Sequence, residues 1–301
     1  MTDRRAFFRT IAAAARDTAA PRVGPREAAA RDAAAADLDA PDAAGLDPRY
    51  AGAADLEPPG AIDPWLDRYS RQLVLPEWSE AAQRALASSS VLVVGAGALG
   101  SPVATYLAGA GVGRLGIVDH GDVELSNLHR QHLHFTPDVG VPKARSAASK
   151  LAFLNPDIVV EPYQAAFAPA MAEGQDLVVD CTDSFSARYA VNAACCAAGV
   201  ALVEAGVVGM TGLVMAIRPG ETACYRCAFP TEPVDAPGCA EAGVLGPAAG
   251  VVGSLQALEA LKLLAGLPAL TDAFLQIDLA ALDVLRVTVE RRADCPDCSA
   301  A

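Results

Sequence analysis

Three glycines behind a run of valines carry the first chemistry legible in this chain. In VLVVGAGALG, residues 91–100, Gly95, Gly97 and Gly100 fall at the G-x-G-x-x-G spacing directly after four apolar residues that read as a strand buried on both faces. Such a turn delivers backbone N–H groups to the start of a helix, where the helix dipole favours an anion such as a phosphate. Gly95 permits the tight turn, Gly97 the close approach of a phosphate, and Gly100 the packing of the helix on the sheet. A second strand, 114–118, ends at Asp119, whose carboxylate can accept both hydroxyls of a ribose. These residues mark a nucleotide site and leave open whether the nucleotide is NAD or ATP.

A second chemistry lies in the sulfur atoms. Cys224 with Cys227, and Cys295 with Cys298, form two C-x-x-C knuckles whose four thiolates suit tetrahedral zinc with no open position, the pattern of a structural site. Zinc there would tie the C-terminal region to the edge of the sheet. Cys181, Cys195 and Cys196 stand in apolar contexts and read as core. Cys239 is alone in the Pro/Gly-bearing loop PVDAPGCAEAG, residues 233–243. The four histidines, His120, His129, His132 and His134, share the polar stretch 120–140 and read as loop residues rather than metal ligands.

Strands and helices alternate around these positions, and that alternation would position them. Two short helices are expected within 63–90, then a helix from Ser101, another over 142–154, strands at 158–163 and 177–182, a helix through 188–198 and a strand at 201–207. The last third changes to antiparallel strands at 212–219, 273–280 and 283–289 around one long apolar helix, 248–264. The predicted fold is a Rossmann-like α/β domain over residues 63–301, with a doubly wound, mostly parallel sheet and an antiparallel far edge.

Residues 1–62 differ in kind. Twenty of the first sixty are Ala, with Pro and Asp scattered among them, a composition that buries little and predicts a mostly disordered tail. Arg4 and Arg5 resemble a twin-arginine export signal, but the following IAAAARD is short, poor in Leu and interrupted by Arg16, so a cytoplasmic protein is expected. The eight cysteines in 301 residues do not form a secreted disulfide pattern, which agrees with a reducing compartment. A net charge of −13 excludes sequence-independent binding to nucleic acid, which needs Lys and Arg to neutralise phosphates. No stretch approaches the roughly twenty apolar residues that span a bilayer.

Taken in order, Arg68, Tyr69, Ser70, Arg71 and Gln72, the GAGALG turn, Val118-Asp119, SNLHRQ at 126–131, Lys143, DCTD at 180–183, CYRC at 224–227 and CPDC at 295–298 resemble the ThiF/MoeB/HesA family, bacterial relatives of the ubiquitin-activating enzymes. The resemblance covers about residues 63–298. It implies an enzyme that uses ATP and Mg2+ to adenylate the C-terminal glycine carboxylate of a ubiquitin-like sulfur-carrier protein ending in Gly-Gly, with release of pyrophosphate. By the same resemblance Asp119 holds the ribose, Asn127, Arg130, Gln131 and Lys143 surround the phosphates, Asp183 carries magnesium, and Arg71 reaches the partner's site across a homodimer. The chemistry agrees: Arg130 offers a bidentate fork and Lys143 a point charge where negative charge builds on a leaving group. Ser184 stands where the family usually has Asn, and Asp183 could also cap the helix beginning at Phe185.

Cys239, followed by Ala-Glu-Ala-Gly, is the family's candidate for a covalent link to the activated carrier. Three residues follow Cys298, so the persulfide donor is expected to be a separate protein. Two other readings compete, a tRNA threonylcarbamoyladenosine dehydratase and an NAD-binding oxidoreductase or nucleotide-binding partner protein. The negative charge disfavours the first. The SNLHRQ cation cluster with Lys143 disfavours the second, because a dinucleotide needs no such cluster at a γ-phosphate.

Overall fold

The computed structural model describes residues 63–233 and 243–299. Two helices come first, α1 (Pro64–Leu73) and α2 (Glu80–Ser88). Asp63 caps α1 by accepting the Trp65 N–H at 2.9 Å, with Pro64 at the first helical position, and Ser79 caps α2 through the Ala82 N–H at 3.1 Å. Tyr69 is the buried residue of α1; its hydroxyl accepts from Asn155 Nδ2 at 2.9 Å and lies against Gly111. A side chain at Gly111 would displace that ring, and φ is +90° there, so the position is closed to other residues twice over.

The alternating part follows as β1 (Ser90–Val94), α3 (Gly100–Ala110), β2 (Arg114–Val118), α4 (Lys143–Leu154), β3 (Val159–Tyr163), β4 (Leu177–Asp180), α5 (Phe185–Ala198) and β5 (Ala201–Val208). Then come β6 (Thr211–Ile217), the short α6 (Tyr225–Ala228), α7 (Gly246–Leu264), β7 (Ala273–Asp278) and β8 (Asp283–Thr288). The described strands form one sheet in the order β3-β2-β1-β4-β5-β6-β7-β8, parallel from β3 to β5 and antiparallel from β5 to β8. The expected doubly wound sheet with an antiparallel far edge is the fold observed.

Period-two alternation divides the core. Val91 and Val93 of β1 face one layer with α3, α4 and α7, while Leu92 and Val94 face the other with α5 and the cysteine knuckles. Both faces are covered, which is why β1 and β4 read as unbroken apolar runs. Each fully buried Val or Leu contributes about 1.5–3 kcal/mol relative to an exposed position. Cys181, Cys195 and Cys196 are buried as expected, and burial pushes Cys195 up to about 12. No helix among the described residues is long and apolar enough to cross a membrane.

The differences from the sequence expectations are local. Helix α7 begins two residues early because Pro247 suits the first turn of a helix. The cap of α5 is Ser184, extended in backbone and accepting the Ala187 N–H at 3.3 Å, so the capping role considered for Asp183 belongs to its neighbour.

Candidate active site

In an open parallel sheet, a ligand crevice forms where successive connections leave one strand on opposite sides, beyond the carboxyl ends of the strands. Here β1 is flanked by β2 and β4, and a cleft of about 480 Å³ opens over their C-terminal ends. Its floor is the turn after β1. Gly95 adopts φ +101° and donates its N–H to Val118 O at 2.7 Å, and a side chain there would meet Cys181 O at 2.8 Å. A Cβ on Gly100 would overlap Gly95 O, so helix and turn are packed backbone to backbone. Gly97 differs: its Cβ would face the cleft, with the nearest atom, Gln131 Nε2, 3.7 Å away. None of the described residues forbids a side chain at Gly97, so the need for glycine there points to close approach of a ligand.

Asp119 closes the turn from β2. Its Oδ2 accepts the Ala96 N–H and its Oδ1 the Gly121 N–H, both at 2.8 Å, which fixes the carboxylate plane and leaves a lone pair on each oxygen for a ligand. The segment after β2 brings the cations. Lys143 opens α4, tethered by its N–H to Gly121 O at 2.9 Å, and its ammonium lies near the Asp119 carboxylate across Gly121. Arg130 is held by Ser126 O at 2.8 Å and by His129 Nε2 at 2.8 Å. Neither Lys143 nor Arg130 forms an ion pair with a described residue. Two cleft cations without counter-ions favour a polyanion.

Asp183 lines the opposite wall, exposed and without a hydrogen bond or ion pair among the described residues. Gln131 also lines the cleft and buries an Oε1 that has no partner among the described residues. Open cations and an open carboxylate fit a nucleoside triphosphate with its metal.

The chain as a whole is similar to known proteins. The ThiF family model matches residues 69–299. The chain belongs to the ThiF family. It is 47% identical over 240 residues to the adenylyltransferase and sulfurtransferase MOCS3 of Sus scrofa, covering 77% of this chain and 52% of that protein. It is 42% identical over 237 residues to the sulfur carrier protein ThiS adenylyltransferase of Escherichia coli strain K12, covering 77% of this chain and 94% of that one. The chain thus spans about half the length of the MOCS3 relatives, and nearly all of the ThiS adenylyltransferase. Among solved structures, MccB of E. coli superposes with a TM-score of 0.70 at 22% identity, covering 77% of this chain and 74% of that one, a likeness of fold.

The second site of this ThiF-family chain lies under the sheet's far end. The Sγ atoms of Cys224, Cys227, Cys295 and Cys298 lie within 4.8 Å of one another, all buried, with Cys224 3.8 Å from Cys227 and 3.6 Å from Cys295, and Cys227 3.5 Å from Cys298. Tetrahedral zinc with bonds near 2.3 Å sets its sulfurs about 3.8 Å apart, so the cluster fits that ion. Burial pushes the Cys227 and Cys298 thiols up, and a divalent cation is what would hold such sulfurs as thiolates. Around the cluster, Asp297 accepts from Asn192 at 2.7 Å and Arg226 at 2.8 Å, tying both knuckles to α5.

Of the remaining predicted residues, Asn127 is buried behind the wall rather than lining the cleft. Its Oδ1 accepts the Glu124 N–H at 3.2 Å and so shapes the turn that presents Arg130. Arg71 is exposed on α1, outside its own chain's cleft. Cys239 lies outside the described residues. The sequence reading missed Arg188. This buried cleft residue donates to Thr182 O at 3.1 Å and faces Glu204 at 3.5 Å, behind the Asp183 loop. Burial, and next the charge of Asp180, raises Glu204 well above the usual carboxylate range. Ala165, Ala166 and Phe167, beyond β3, complete the cleft wall next to Asp119.

Proposed function

We propose that this chain is an ATP-dependent adenylyltransferase that activates the C-terminal glycine carboxylate of a ubiquitin-like sulfur-carrier protein ending in Gly-Gly. One observation carries the reading: among the described residues, Arg130 and Lys143 stand without counter-ions on one side of the Gly95–Gly100 turn and Asp183 without a partner on the other, inside the cleft of a ThiF-family chain. A carrier carboxylate oxygen bonds to the α-phosphorus of ATP, the bond from that phosphorus to the bridging oxygen breaks, and pyrophosphate leaves with an acyl-adenylate remaining. Asp119 orients the ribose, the turn supplies N–H groups, and Arg130, Gln131 and Lys143 meet the charge gathering on the leaving pyrophosphate. Asn127 supports that set from behind. Asp183 would hold Mg2+, which neutralises phosphate charge when bound.

Zn2+ at the four cysteines is structural in this reading. The enzyme is a cytoplasmic homodimer in which Arg71 completes the partner's site, and residues 1–62 are a tail apart from the adenylation domain at 63–301. Cys239 attacks the acyl-adenylate, releasing AMP and forming a thioester to the carrier, and a separate persulfide protein delivers sulfur.

The deciding experiment is exchange of labelled pyrophosphate into ATP with a Gly-Gly carrier, which should require Mg2+. Arg130→Ala and Lys143→Ala should each lower exchange by about 10²- to 10³-fold. Asp183→Ala should abolish it, and Cys239→Ser should leave it near wild type. Exchange that survives Asp183→Ala, or carrier-independent NAD reduction, would refute the assignment.

A further inference from the structure

His134 is not a loop-surface residue: it is 2% exposed, and both ring nitrogens are engaged. Nε2 lies 2.9 Å from Ala96 O, a carbonyl inside the glycine turn, and Nδ1 lies 2.9 Å from Ser146 Oγ on α4. A carbonyl only accepts, so Nε2 must carry the hydrogen. With Nε2 protonated, the Nδ1 of a neutral ring can only accept, so the Ser146 hydroxyl, which receives an N–H from Lys150 Nζ at 2.9 Å and also neighbours the Asp138 carboxylate, donates to it. Donors therefore run one way, from the Lys150 ammonium through the Ser146 hydroxyl and the imidazole to the Ala96 carbonyl. Lys150 is in turn anchored by Asp138 at 2.6 Å and lies 5.0 Å from the centre of the Phe135 ring. Burial lowers the His134 pKa, and the charges of Lys150 and Lys143 act in the same direction against the Ala96 carbonyl and Asp138, so the ring is neutral.

The consequence concerns the next peptide. In a planar trans peptide the C=O and N–H point in opposite directions, so fixing Ala96 O away from the cleft fixes the Gly97 N–H toward it. That N–H finds no acceptor among the described residues, and Gly97 is the glycine whose missing side chain faces the cleft. The same residue joins three cleft elements: its ring contacts Ala96 of the turn and Ser146, one helical turn beyond Lys143, and its backbone N–H donates to Gln131 O at 3.0 Å.

We propose that His134, locked as its Nε2–H tautomer by Ser146 and Lys150, is the positioning residue that aims the Gly97 N–H at the bound phosphate. The inference rests on the reading of the cleft as an ATP site, and the tautomer can be tested without ATP. Nitrogen spectra of ¹⁵N-histidine-labelled full-length protein, with His134 assigned by its loss in His134→Gln, should show a protonated Nε2 and an unprotonated Nδ1. In pyrophosphate exchange, His134→Leu should raise KM for ATP about tenfold or more with a smaller change in kcat. His134→Gln, whose amide can donate to Ala96 O, should stay within about threefold of wild type. Ser146→Ala, which frees the ring to change tautomer, should raise KM between these limits and keeps the test decisive should the Leu variant not fold. An Nδ1–H tautomer or an imidazolium at neutral pH, a folded Leu variant with wild-type KM, or a Gln variant as impaired as Leu would overturn the proposal. Wild-type protein that binds no ATP would instead remove the nucleotide reading and leave the tautomer result standing.

Discussion

Glycine illustrates how one residue type serves three purposes in six positions. Gly95 is required by its φ of +101° and by Cys181 O, Gly100 by contact with Gly95 O, and Gly97 by neither. Gly95→Ala and Gly100→Ala should therefore each cost about 2–4 kcal/mol in chemical denaturation, the scale of backbone strain and overpacking. Gly97→Ala should change stability by no more than about 0.5 kcal/mol while raising KM for ATP about ten- to a hundredfold, because the methyl fills space facing the cleft. A Gly97→Ala variant with unaltered ATP affinity would show that no phosphate approaches this backbone. The spacing made these glycines and Asp119 legible in the sequence, since turn, helix start and ribose carboxylate are fixed along a single β-α-β path. Arg188 carried no comparable signal. It is one arginine on a helix, and only the pairing of β4 with β5 sets Glu204 before its guanidinium. The burial of His134 had no signal in the sequence for a related reason: the loop reading of the histidines holds, but only the packing of α4 and the glycine turn places this one between Ser146 and Ala96 O.

At the level of elements, the cysteine knuckles act as a clasp. Cys224 and Cys227 flank and enter the short helix α6 after β6, and Cys295 and Cys298 follow β8, so the cluster joins segments separated by two strands and a long helix. Loop closure of that span is costly in entropy, and zinc bound by the four cysteines would offset it in the folded state alone. Purified protein should contain about one zinc per chain. Cys224→Ser or Cys295→Ser should lose the metal and about 3 kcal/mol or more of stability together. Protein stripped of zinc that melts at the unchanged Tm would refute a structural role. The clasp also bears on the cleft, because Asn192 and Arg226 connect it through Asp297 to α5, and Asp183 immediately precedes the Ser184 cap of that helix. The C-x-x-C pairs announced the four-cysteine cluster in the sequence. The Asp297 bridge did not announce itself, since an acidic residue between two cysteines has no pattern of its own. The cap of α5 was similarly undecidable, with two adjacent polar residues able to serve until backbone conformation chose Ser184.

Across the whole molecule, Arg71 lies outside the cleft of its own chain. It projects from α1, exposed and without an ion pair among the described residues, while the helix beneath it is pinned by Tyr69 to Asn155 and Gly111 and by Gln72 to Gln83 at 2.8 Å. A closed twofold dimer in which Arg71 serves the partner's site would present the Arg71 of each subunit once to the other, two equivalent contacts per dimer. Chains carrying Arg71→Ala and chains carrying Asp183→Ala should each be inactive in pyrophosphate exchange. After subunit exchange at equal amounts, half of the dimers are mixed. One site in each mixed dimer then has its own Asp183 and the partner's Arg71, so about a quarter of wild-type activity should return. If Arg71 served its own subunit, every site in every dimer would lack one residue and no activity would return. Absence of complementation despite demonstrated exchange would therefore place Arg71 outside the partner's site.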